Sequence, residues 1–446
     1  MIMIIRSISG VRGITKTSLT PEIIKLYSHA FHDQLSDGLI YIGRDTRPSG
    51  EDLLEIFSNE LIALGRDVVQ CDVVPTPTIQ FMVERSEAAG GIIITASHNP
   101  EEWNGIKFVR QDGSFFLPHE CKELFEKVDN KLIHRNADKS GMLFPDQNSI
   151  LKHVIHVIEL SCINLKKIKE RKFKVVIDSV NGAGSKALPL LLDYLGCDVV
   201  AIHCNGNGQF DRGAEPLPEN LGDLRKAVLE NNADIGFAID PDADRLAIVN
   251  DYGNPIGEEY TLVLAAESYL KQTGKPESIV TNLSTTIAVD KMAKKYNSNV
   301  IRTAVGEINV VQKMIELDSN IGGEGNGGVI LKEAHLGRDS LVAVALILNR
   351  LSQENNLTIS QLHDSLPQFR IIKDKIDLNQ VNESELMNKA KEVYSDSEMN
   401  TIDGVKFAWE DRWVHLRKSN TEPIMRIYAE APSSKEANEL ILKIKN

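Results

Sequence analysis

A serine directly after a predicted buried strand is the first candidate for chemistry in this 446-residue chain. Residues 92–94 are three isoleucines, a β-branched run that predicts a strand buried on both faces. Segment 95–100 (Thr-Ala-Ser-His-Asn-Pro) follows, and Pro100 disfavours helix at Asn99, so the chain must turn. Because open α/β sheets bind ligands where strands end in loops, Ser97 is a candidate nucleophile or phosphate carrier. The alternative is that Ser97 and Asn99 only cap a turn.

A second strand-to-loop junction carries three carboxylates. Asp240, Asp242 and Asp244 follow the apolar run 235–239, and a curled loop would turn all three onto one cation. Carboxylate oxygens suit Mg²⁺, which keeps positions open for phosphate and water. An EF-hand is excluded because Arg245 stands where that loop needs glycine. A solvated acidic turn is the alternative, but three like charges repel one another unless a cation or an arginine offsets them.

A glycine-rich turn is the third candidate. Segment 323–328 (Gly-Glu-Gly-Asn-Gly-Gly) has the spacing of a dinucleotide-binding loop. The strand-like run 329–331 follows it, instead of the helix whose N-terminus would bind a pyrophosphate, which argues against that interpretation. The turn suits sugar hydroxyls, because Glu324 can accept two hydrogen bonds and Asn326 can both donate and accept. An ordinary hairpin turn is the alternative.

The fourth candidate is a polar segment near the C-terminal end. Segment 417–423 (Arg-Lys-Ser-Asn-Thr-Glu-Pro) and Arg426 combine two arginines, two hydroxyls and an amide. Guanidinium groups bind phosphate oxygens bidentately, and hydroxyls supply further donors. A polar turn with charged flanks is the alternative. The candidate phosphate ligands are Arg417, Ser419, Asn420, Thr421 and Arg426.

Together, the four segments resemble the α-D-phosphohexomutase family over the whole chain and in the family's order. Segment 9–13 (Ser-Gly-Val-Arg-Gly) is similar to the family's N-terminal phosphate-contacting loop, which makes Arg12 a candidate. Segment 43–47 (Gly-Arg-Asp-Thr-Arg) is similar to another active-site loop and adds Arg44. Segment 104–107 (Asn-Gly-Ile-Lys) is similar to the one whose lysine acts as general acid or base.

The elements that must position these residues are repeated units of apolar strand, glycine turn and amphipathic helix, which predict an α/β fold with parallel-type layers. The chain is too long for one ordinary core. We place four domains at residues 1–148, 149–254, 255–367 and 368–446, with the second boundary at a turn-rich break. The resemblance implies three α/β/α domains and a smaller C-terminal α+β domain around a central cleft, with one motif from each domain.

The resemblance implies phosphoryl transfer within a hexose phosphate, through a phosphoserine at Ser97 and a sugar 1,6-bisphosphate that is both primer and intermediate. A phosphorylated serine carries roughly −1.5 to −2 charges at neutral pH. Such a group is tolerable beside the three aspartates only with a divalent cation between them. The expected cofactor is therefore Mg²⁺, and its expected ligands are Ser97, Asp240, Asp242 and Asp244.

The same resemblance implies roles for the charged residues near Ser97 and the aspartates. Lys107 is the candidate for moving the hydroxyl proton, which requires a lowered pKa, and Arg12 is a candidate source of that shift. Arg12 and Arg245 are further catalytic candidates. We expect His98 to order the loop rather than to act as a base.

The chain departs from the common family pattern at two positions. In the family, the sugar loop (residues 323–328 in this chain) often ends in histidine, whereas here it ends in Gly328. Glu307 stands at a second position where histidine is frequent in the family. His335 is the candidate substitute. The loop resembles the branch of the family that acts on amino sugars, and Glu307 could bind an ammonium group at C2. The expected reaction therefore converts glucosamine 6-phosphate to glucosamine 1-phosphate, and a mannose or glucose phosphate is the alternative.

The composition indicates which class of partner and which cellular compartment to expect. A net charge of −13 argues against nucleic acid and anionic membranes, so the expected partner is a small hexose phosphate. Five cysteines without a Cys-x-x-Cys pair fit a reducing cytoplasm. We expect no membrane span and no signal peptide. Two other functions stay open, namely a phosphatase that forms an aspartyl phosphate at Asp240 and a non-catalytic sugar-phosphate sensor.

Overall fold

The computed structural model of the chain describes residues 4–419 and 423–445, whose strands form four sheets. The elements of the first unit are β1 (Ile5–Ser7), β2 (Gly10–Ile14), α1 (Pro21–Gln34), β3 (Ile40–Arg44), α2 (Gly50–Ala63), β4 (Val68–Val73), α3 (Thr76–Glu84), β5 (Gly90–Ile94), β6 (Trp103–Arg110), α4 (Pro118–Asp129) and β7 (Leu143–Pro145). Its strand order is β1-β2-β6-β5-β3-β4-β7. All five residues of β5 are buried, which confirms the buried strand predicted at 92–94.

The second unit has a four-stranded sheet. Its elements are α5 (Ser149–Glu159), α6 (Leu165–Arg171), β8 (Lys174–Asp178), α7 (Gly184–Tyr194), β9 (Asp198–Ile202), α8 (Gly222–Asn231), β10 (Ile235–Ile239) and β11 (Leu246–Val249), with a 3₁₀ turn at Pro218–Asn220. The strand order is β11-β10-β8-β9, and β10 pairs antiparallel with β11. The aspartate loop, residues 240–245, is therefore the turn of a hairpin.

The third unit has a five-stranded sheet and a buried helix, α12. Its elements are α9 (Glu259–Thr273), β12 (Ser278–Asn282), α10 (Ala288–Lys295), β13 (Asn299–Thr303), α11 (Glu307–Leu317), β14 (Ile321–Glu324), β15 (Gly328–Leu331), β16 (His335–Arg338), α12 (Ser340–Ser352) and α13 (Ile359–Asp364). The strand order is β13-β12-β14-β15-β16. Glu324 pairs with Gly328 across antiparallel β14 and β15, so the glycine-rich segment is also a hairpin turn.

The fourth unit is smaller and has its own apolar core. Its elements are β17 (Arg370–Asp377), α14 (Glu383–Val393), β18 (Glu398–Asn400), β19 (Val405–Ala408), β20 (Trp413–Lys418), β21 (Ile424–Ala431) and α15 (Ser434–Lys445). The strand order is β17-β21-β20-β19-β18, and every neighbouring pair is antiparallel.

The predicted α/β fold of three larger units and one smaller α+β unit is confirmed. The expectation of parallel layers was too simple, because each of the first three sheets also contains antiparallel pairs. The loops at 240–245 and 325–327 are too short for the crossover that parallel strands require, so they close hairpins. Among residues 4–419 and 423–445, no helix has the length and apolar character needed to span a bilayer.

Candidate active site

Ser97 follows the carboxyl end of β5. Its side chain is buried, and its backbone φ of +49° lies in the left-handed region that non-glycine residues rarely adopt. The Ser97 N–H donates to Thr95 Oγ1 at 2.9 Å. The Ser97 hydroxyl donates to Asp240 Oδ2 at 3.2 Å, and His98 Nδ1 lies 3.4 Å from the same hydroxyl oxygen. The fold therefore brings the serine loop into contact with the aspartate loop.

Arg47, rather than Arg44, contacts the serine loop. The buried guanidinium of Arg47 donates to four backbone carbonyl oxygens, those of Ser97, Asn99, Pro100 and Trp103. Arg47 Nε also donates to Asp45 Oδ2 at 3.0 Å. Arg44 pairs with Asp72, whose side chain is 64% exposed, and does not line the active-site cavity formed by the described residues. The Arg44 side chain turns toward β4 and Asp72, and its place in the active site stays a prediction.

The three aspartates are buried in the β10–β11 turn. Asp240 organises the loop, since its Oδ1 accepts hydrogen bonds from the N–H groups of Asp244 and Arg245, both at 3.1 Å. One carboxylate oxygen from each of Asp240, Asp242 and Asp244 lies within 4.8 Å of the others. Burial raises the pKa of Asp240 well above its usual range, and the neighbouring carboxylates raise it further.

These residues fit a divalent metal ion. Oδ1 of Asp242 and Oδ1 of Asp244 are buried, and neither accepts a hydrogen bond from the described residues. Buried carboxylate oxygens without donors are costly unless a cation offsets their charge. A set of three hard oxygen donors suits Mg²⁺.

Lys107, on β6, contacts the same carboxylates. Its Nζ donates to Asp242 Oδ2 at 2.6 Å and lies 3.4 Å from Asp244 Oδ2. Burial lowers the pKa of Lys107, but the two carboxylates outweigh burial, so the pKa is raised. The prediction that Arg12 gives this lysine a lowered pKa is therefore wrong. The arginine that does oppose the rise is Arg338.

Two predicted arginines line the cavity beside the serine loop. Arg12 Nη1 donates to Asn99 Oδ1 at 2.7 Å, and Arg245 Nη1 donates to Glu215 Oε1 at 3.0 Å. Burial lowers the pKa of His98 well below its usual range, and the charges of Arg245 and Arg12 lower it further. Burial and these two arginines therefore disfavour the protonated form of His98.

The sugar loop presents two polar side chains to the cavity, Glu324 and Asn326. Glu324 Oε1 accepts hydrogen bonds from Asn282 Nδ2 at 2.7 Å and from the Gly306 N–H at 3.0 Å. Asn326 Nδ2 lies 3.4 Å from Glu324 Oε2. The Glu324 carboxylate is thus fixed in one orientation toward the cavity.

Arg338, at the end of β16, is a residue that sequence reasoning missed. Its three nitrogens donate to three carboxylates, at 2.9 Å to Glu307 Oε2, 3.0 Å to Glu324 Oε2 and 2.7 Å to Asp244 Oδ2. Burial raises the pKa of Glu307, and Arg338 opposes that rise. Glu307 lines the cavity as predicted, but its charge is already paired. The only sequence signal for Arg338 was its place at a strand-to-helix junction.

His335 lies away from the cavity. Its side chain is buried, and its Nε2 pairs with Asp339 Oδ2 at 3.1 Å, as does His153 Nε2 at 2.9 Å. Thr78 Oγ1 lies 3.0 Å from His153 Nδ1, so this cluster joins the first three units. His335 is not among the described residues that line the cavity, so its predicted role as the substitute for the sugar-loop histidine finds no support there. Its strand turns this side chain toward the interior.

The fourth unit contributes the predicted phosphate ligands. Arg417 on β20 and Arg426 on β21 are directly opposite each other across the two strands, and both line the cavity. Ser419 is buried just beyond β20. Asn420 and Thr421 lie outside the residues that the structure describes. The structure therefore places two guanidinium groups at one side of the cavity.

Asp403 connects this side to the third unit. Its Oδ2 lies 2.7 Å from Arg417 Nε and accepts a hydrogen bond from the Val305 N–H at 3.0 Å. His415 makes a second connection, because its Nδ1 lies 2.9 Å from Ser284 Oγ and its Nε2 lies 2.7 Å from the Asp403 carbonyl oxygen. These contacts orient Arg417 against the turn that precedes Glu307.

All four units contribute to one cavity of about 660 Å³. Its polar lining includes Ser9, Arg12, His98, Asn99, Lys107, Glu215, Arg245, Asn282, Ser284, Glu307, Glu324, Asn326, Arg338, Lys373, His415, Arg417 and Arg426. The missed lining residues, in addition to Arg338, are Glu215, Asn282, Ser284, Lys373 and His415, because each stands outside the recognised motifs. The volume is ordinary for a small-molecule site, and the lining combines cations, carboxylates and amides.

Comparison with known proteins gives matches over almost the whole chain. Family models described as phosphoglucomutase/phosphomannomutase match in four parts, as alpha/beta/alpha domain I (4–133), domain II (151–253), domain III (257–369) and C-terminal domain (375–446). A probable phosphoglucosamine mutase of Methanopyrus kandleri is 32% identical, over 97% of this chain and 95% of that protein. A phosphoglucomutase/phosphomannomutase of Thermococcus kodakarensis is 36% identical, over 97% and 95%. A crystal structure of a phosphoglucomutase/phosphomannomutase family protein from Burkholderia thailandensis is similar with a TM-score of 0.85 and 25% identity, over 99% of this chain and 97% of the other.

Proposed function

The chain belongs to the phosphoglucomutase/phosphomannomutase family of phosphohexomutases, and from this membership we propose that it moves a phosphoryl group between the 6 and 1 positions of a hexose phosphate. The observation that carries the proposal is the 3.2 Å contact of Ser97 Oγ with Asp240. This contact puts a candidate phosphoryl carrier against three buried carboxylates that fit a divalent cation.

Phosphorylated Ser97 is the proposed donor. Its Oγ–P bond breaks while a substrate hydroxyl oxygen bonds to phosphorus, and the hydroxyl proton passes to a base. The sugar 1,6-bisphosphate that results turns over in the cavity, and its other phosphoryl group returns to Ser97. Positioning and charge neutralisation provide most of the catalysis in such transfers. Arg47 contributes the positioning through its hydrogen bond to the Ser97 carbonyl oxygen.

Mg²⁺ bound by Asp240, Asp242 and Asp244 would neutralise charge on the transferring phosphoryl group. Lys107 is the proposed base and acid. Burial and Arg338 both lower the pKa of Lys107, while Asp242 and Asp244 raise it. The effect of these carboxylates weakens when their charge is offset, which favours the neutral amine that a base requires.

Arg417 and Arg426 are the proposed ligands of the phosphate that is not reacting. Their place at one side of the cavity suits a group that must bind in either of two orientations of the sugar. Glu324 and Asn326 are the proposed contacts for the sugar hydroxyls. The sugar can then present its 1 or its 6 position to the same serine.

Glucosamine 6-phosphate is the proposed preferred substrate. The name of the Methanopyrus relative supports it. Glu307 lies at the cavity wall and is the proposed partner of the C2 ammonium group, although Arg338 already pairs with its Oε2. Glucose and mannose phosphates are the second candidate, because the Thermococcus relative has the higher identity. The proposed location is the cytoplasm, which agrees with five free cysteines among the described residues.

A substrate panel tests the proposal. We expect the protein to convert one or more of the 6-phosphates of glucosamine, glucose, mannose and N-acetylglucosamine in the presence of Mg²⁺ and bisphosphate primer. Comparison of kcat/KM across the panel identifies the sugar. Intact-mass and peptide mapping should find phosphate on Ser97, and Ser97→Ala should abolish turnover. Phosphate on Asp240 would favour the phosphatase alternative, whereas binding without turnover would favour the sensor.

A further inference from the structure

Arg338 connects three functional segments through one side chain. Asp244 belongs to the aspartate loop, Glu324 to the sugar loop and Glu307 to the start of α11. Arg338 donates to all three from separate nitrogens at distances of 2.7–3.0 Å. It is 8% exposed, and its remaining surface lines the cavity. A lysine could not replace this pattern, because an ammonium group is a single point charge without the planar fork of a guanidinium.

Gly328 makes room for this arginine. A methyl carbon built at Gly328 would lie 2.2 Å from Arg338 Cδ and 2.9 Å from Arg338 Cγ, far inside van der Waals contact. Any side chain at position 328 would therefore displace the stem of Arg338. Gly222 provides a contrast, since a methyl carbon built there meets nothing within 4 Å.

The charges around Arg338 explain why it is needed. Without it, the three buried carboxylates that it contacts would have less opposing charge. Like charges repel one another, so loss of Arg338 favours displacement of at least one of these side chains. Arg338 holds the Glu324 carboxylate in one orientation at the cavity wall through its 3.0 Å bond to Oε2.

We propose that Arg338 is a positioning residue that holds Glu324 and Glu307 for recognition of the hexose ring, and that Gly328 is required to admit it. This inference rests on the proposed function. It concerns recognition of the sugar and not of the phosphate, which is the task proposed for Arg417 and Arg426. Sugar binding and phosphate binding should therefore respond differently to substitution of Arg338.

The test measures binding by calorimetry in the Ser97→Ala background, where transfer is blocked. Glucosamine 6-phosphate, glucose 6-phosphate and inorganic phosphate are the probes. We expect Arg338→Lys to weaken the binding of both sugar phosphates by about tenfold or more, the factor for loss of one charge-assisted contact. The affinity for inorganic phosphate should be unchanged. Equal weakening of all three probes, or no weakening, would overturn the proposal.

The glycine supplies a second and independent test that leaves the arginine in the chain. Gly328→Ala should lower kcat/KM about as much as Arg338→Ala. The double variant should have no lower kcat/KM than either single variant, because the alanine at 338 lacks the side-chain stem with which a methyl group at 328 would clash. Gly222→Ala is the matched control and should behave as the wild type. Additive losses would contradict the proposal. A wild type that neither binds nor converts any hexose 6-phosphate would refute the proposed function instead.

Discussion

Replacing Arg47 with methionine tests how the serine loop is positioned. Methionine retains much of the side-chain length but none of the donors. The change removes hydrogen bonds to four backbone carbonyl oxygens and to Asp45. Two of these bonds, to Ser97 and to Asp45, lie in fully buried surroundings. At about 1.5–3 kcal/mol for each charge-assisted bond, the expected loss of unfolding free energy is about 3–6 kcal/mol from these two alone.

Activity should fall as well, because Ser97 holds a left-handed backbone conformation that its surroundings must maintain. A shift of about 1 Å in a reacting group can cost about 100-fold in rate. We therefore expect kcat of Arg47→Met to fall by about that factor at temperatures where the variant is still folded. Thermal unfolding and steady-state kinetics on the same preparations measure the two effects.

Arg44→Met is the matched control from the same loop. Arg44 pairs with the exposed carboxylate of Asp72, and such pairs contribute about 0–1 kcal/mol. We expect this variant to keep its Tm and its kcat. If Arg47→Met and Arg44→Met behave alike, then Arg47 does not position the serine and the reasoning is refuted.

Three further predictions concern the metal, the substrate and the pH. Asp242→Asn should lower activity by about 100-fold or more, while Asp251→Asn should have little effect. EDTA should abolish wild-type activity, and added Mg²⁺ should restore it. Full activity in EDTA would exclude the three-carboxylate metal site. Glu307→Gln should lower kcat/KM for glucosamine 6-phosphate more than for glucose 6-phosphate, whereas equal losses would leave Glu307 only its role as a partner of Arg338. Burial lowers the pKa of His415 to about 4, so the folded protein keeps this ring neutral while the unfolded chain protonates it near pH 6.5. Stability should fall between pH 6.5 and pH 4 by up to about 3 kcal/mol, and His415→Asn should flatten that fall in Tm measured across the range.

The sequence by itself determined the candidates whose chemistry is contained in a few adjacent residues. Ser97 after one buried strand, and three alternating aspartates after another, could be identified because apolar runs, turn-forming residues and side-chain types are visible in adjacent residues. The alternation of strands and helices likewise predicted the α/β fold. Antiparallel pairing within the sheets was missed, although the short loop at 240–245 already required it.

Only the tertiary structure decided which long-range partners each side chain meets. Arg47 and Arg44 stand three positions apart with the same chemistry, yet one donates to the serine loop and the other pairs with the exposed carboxylate of Asp72. The upward shift in the pKa of Lys107 depends on aspartates that lie 135 and 137 residues away. Arg338 fills the space beside Gly328, and His335 turns inward. Which charged side chains meet depends on packing between distant segments, so no local pattern could have revealed these pairings.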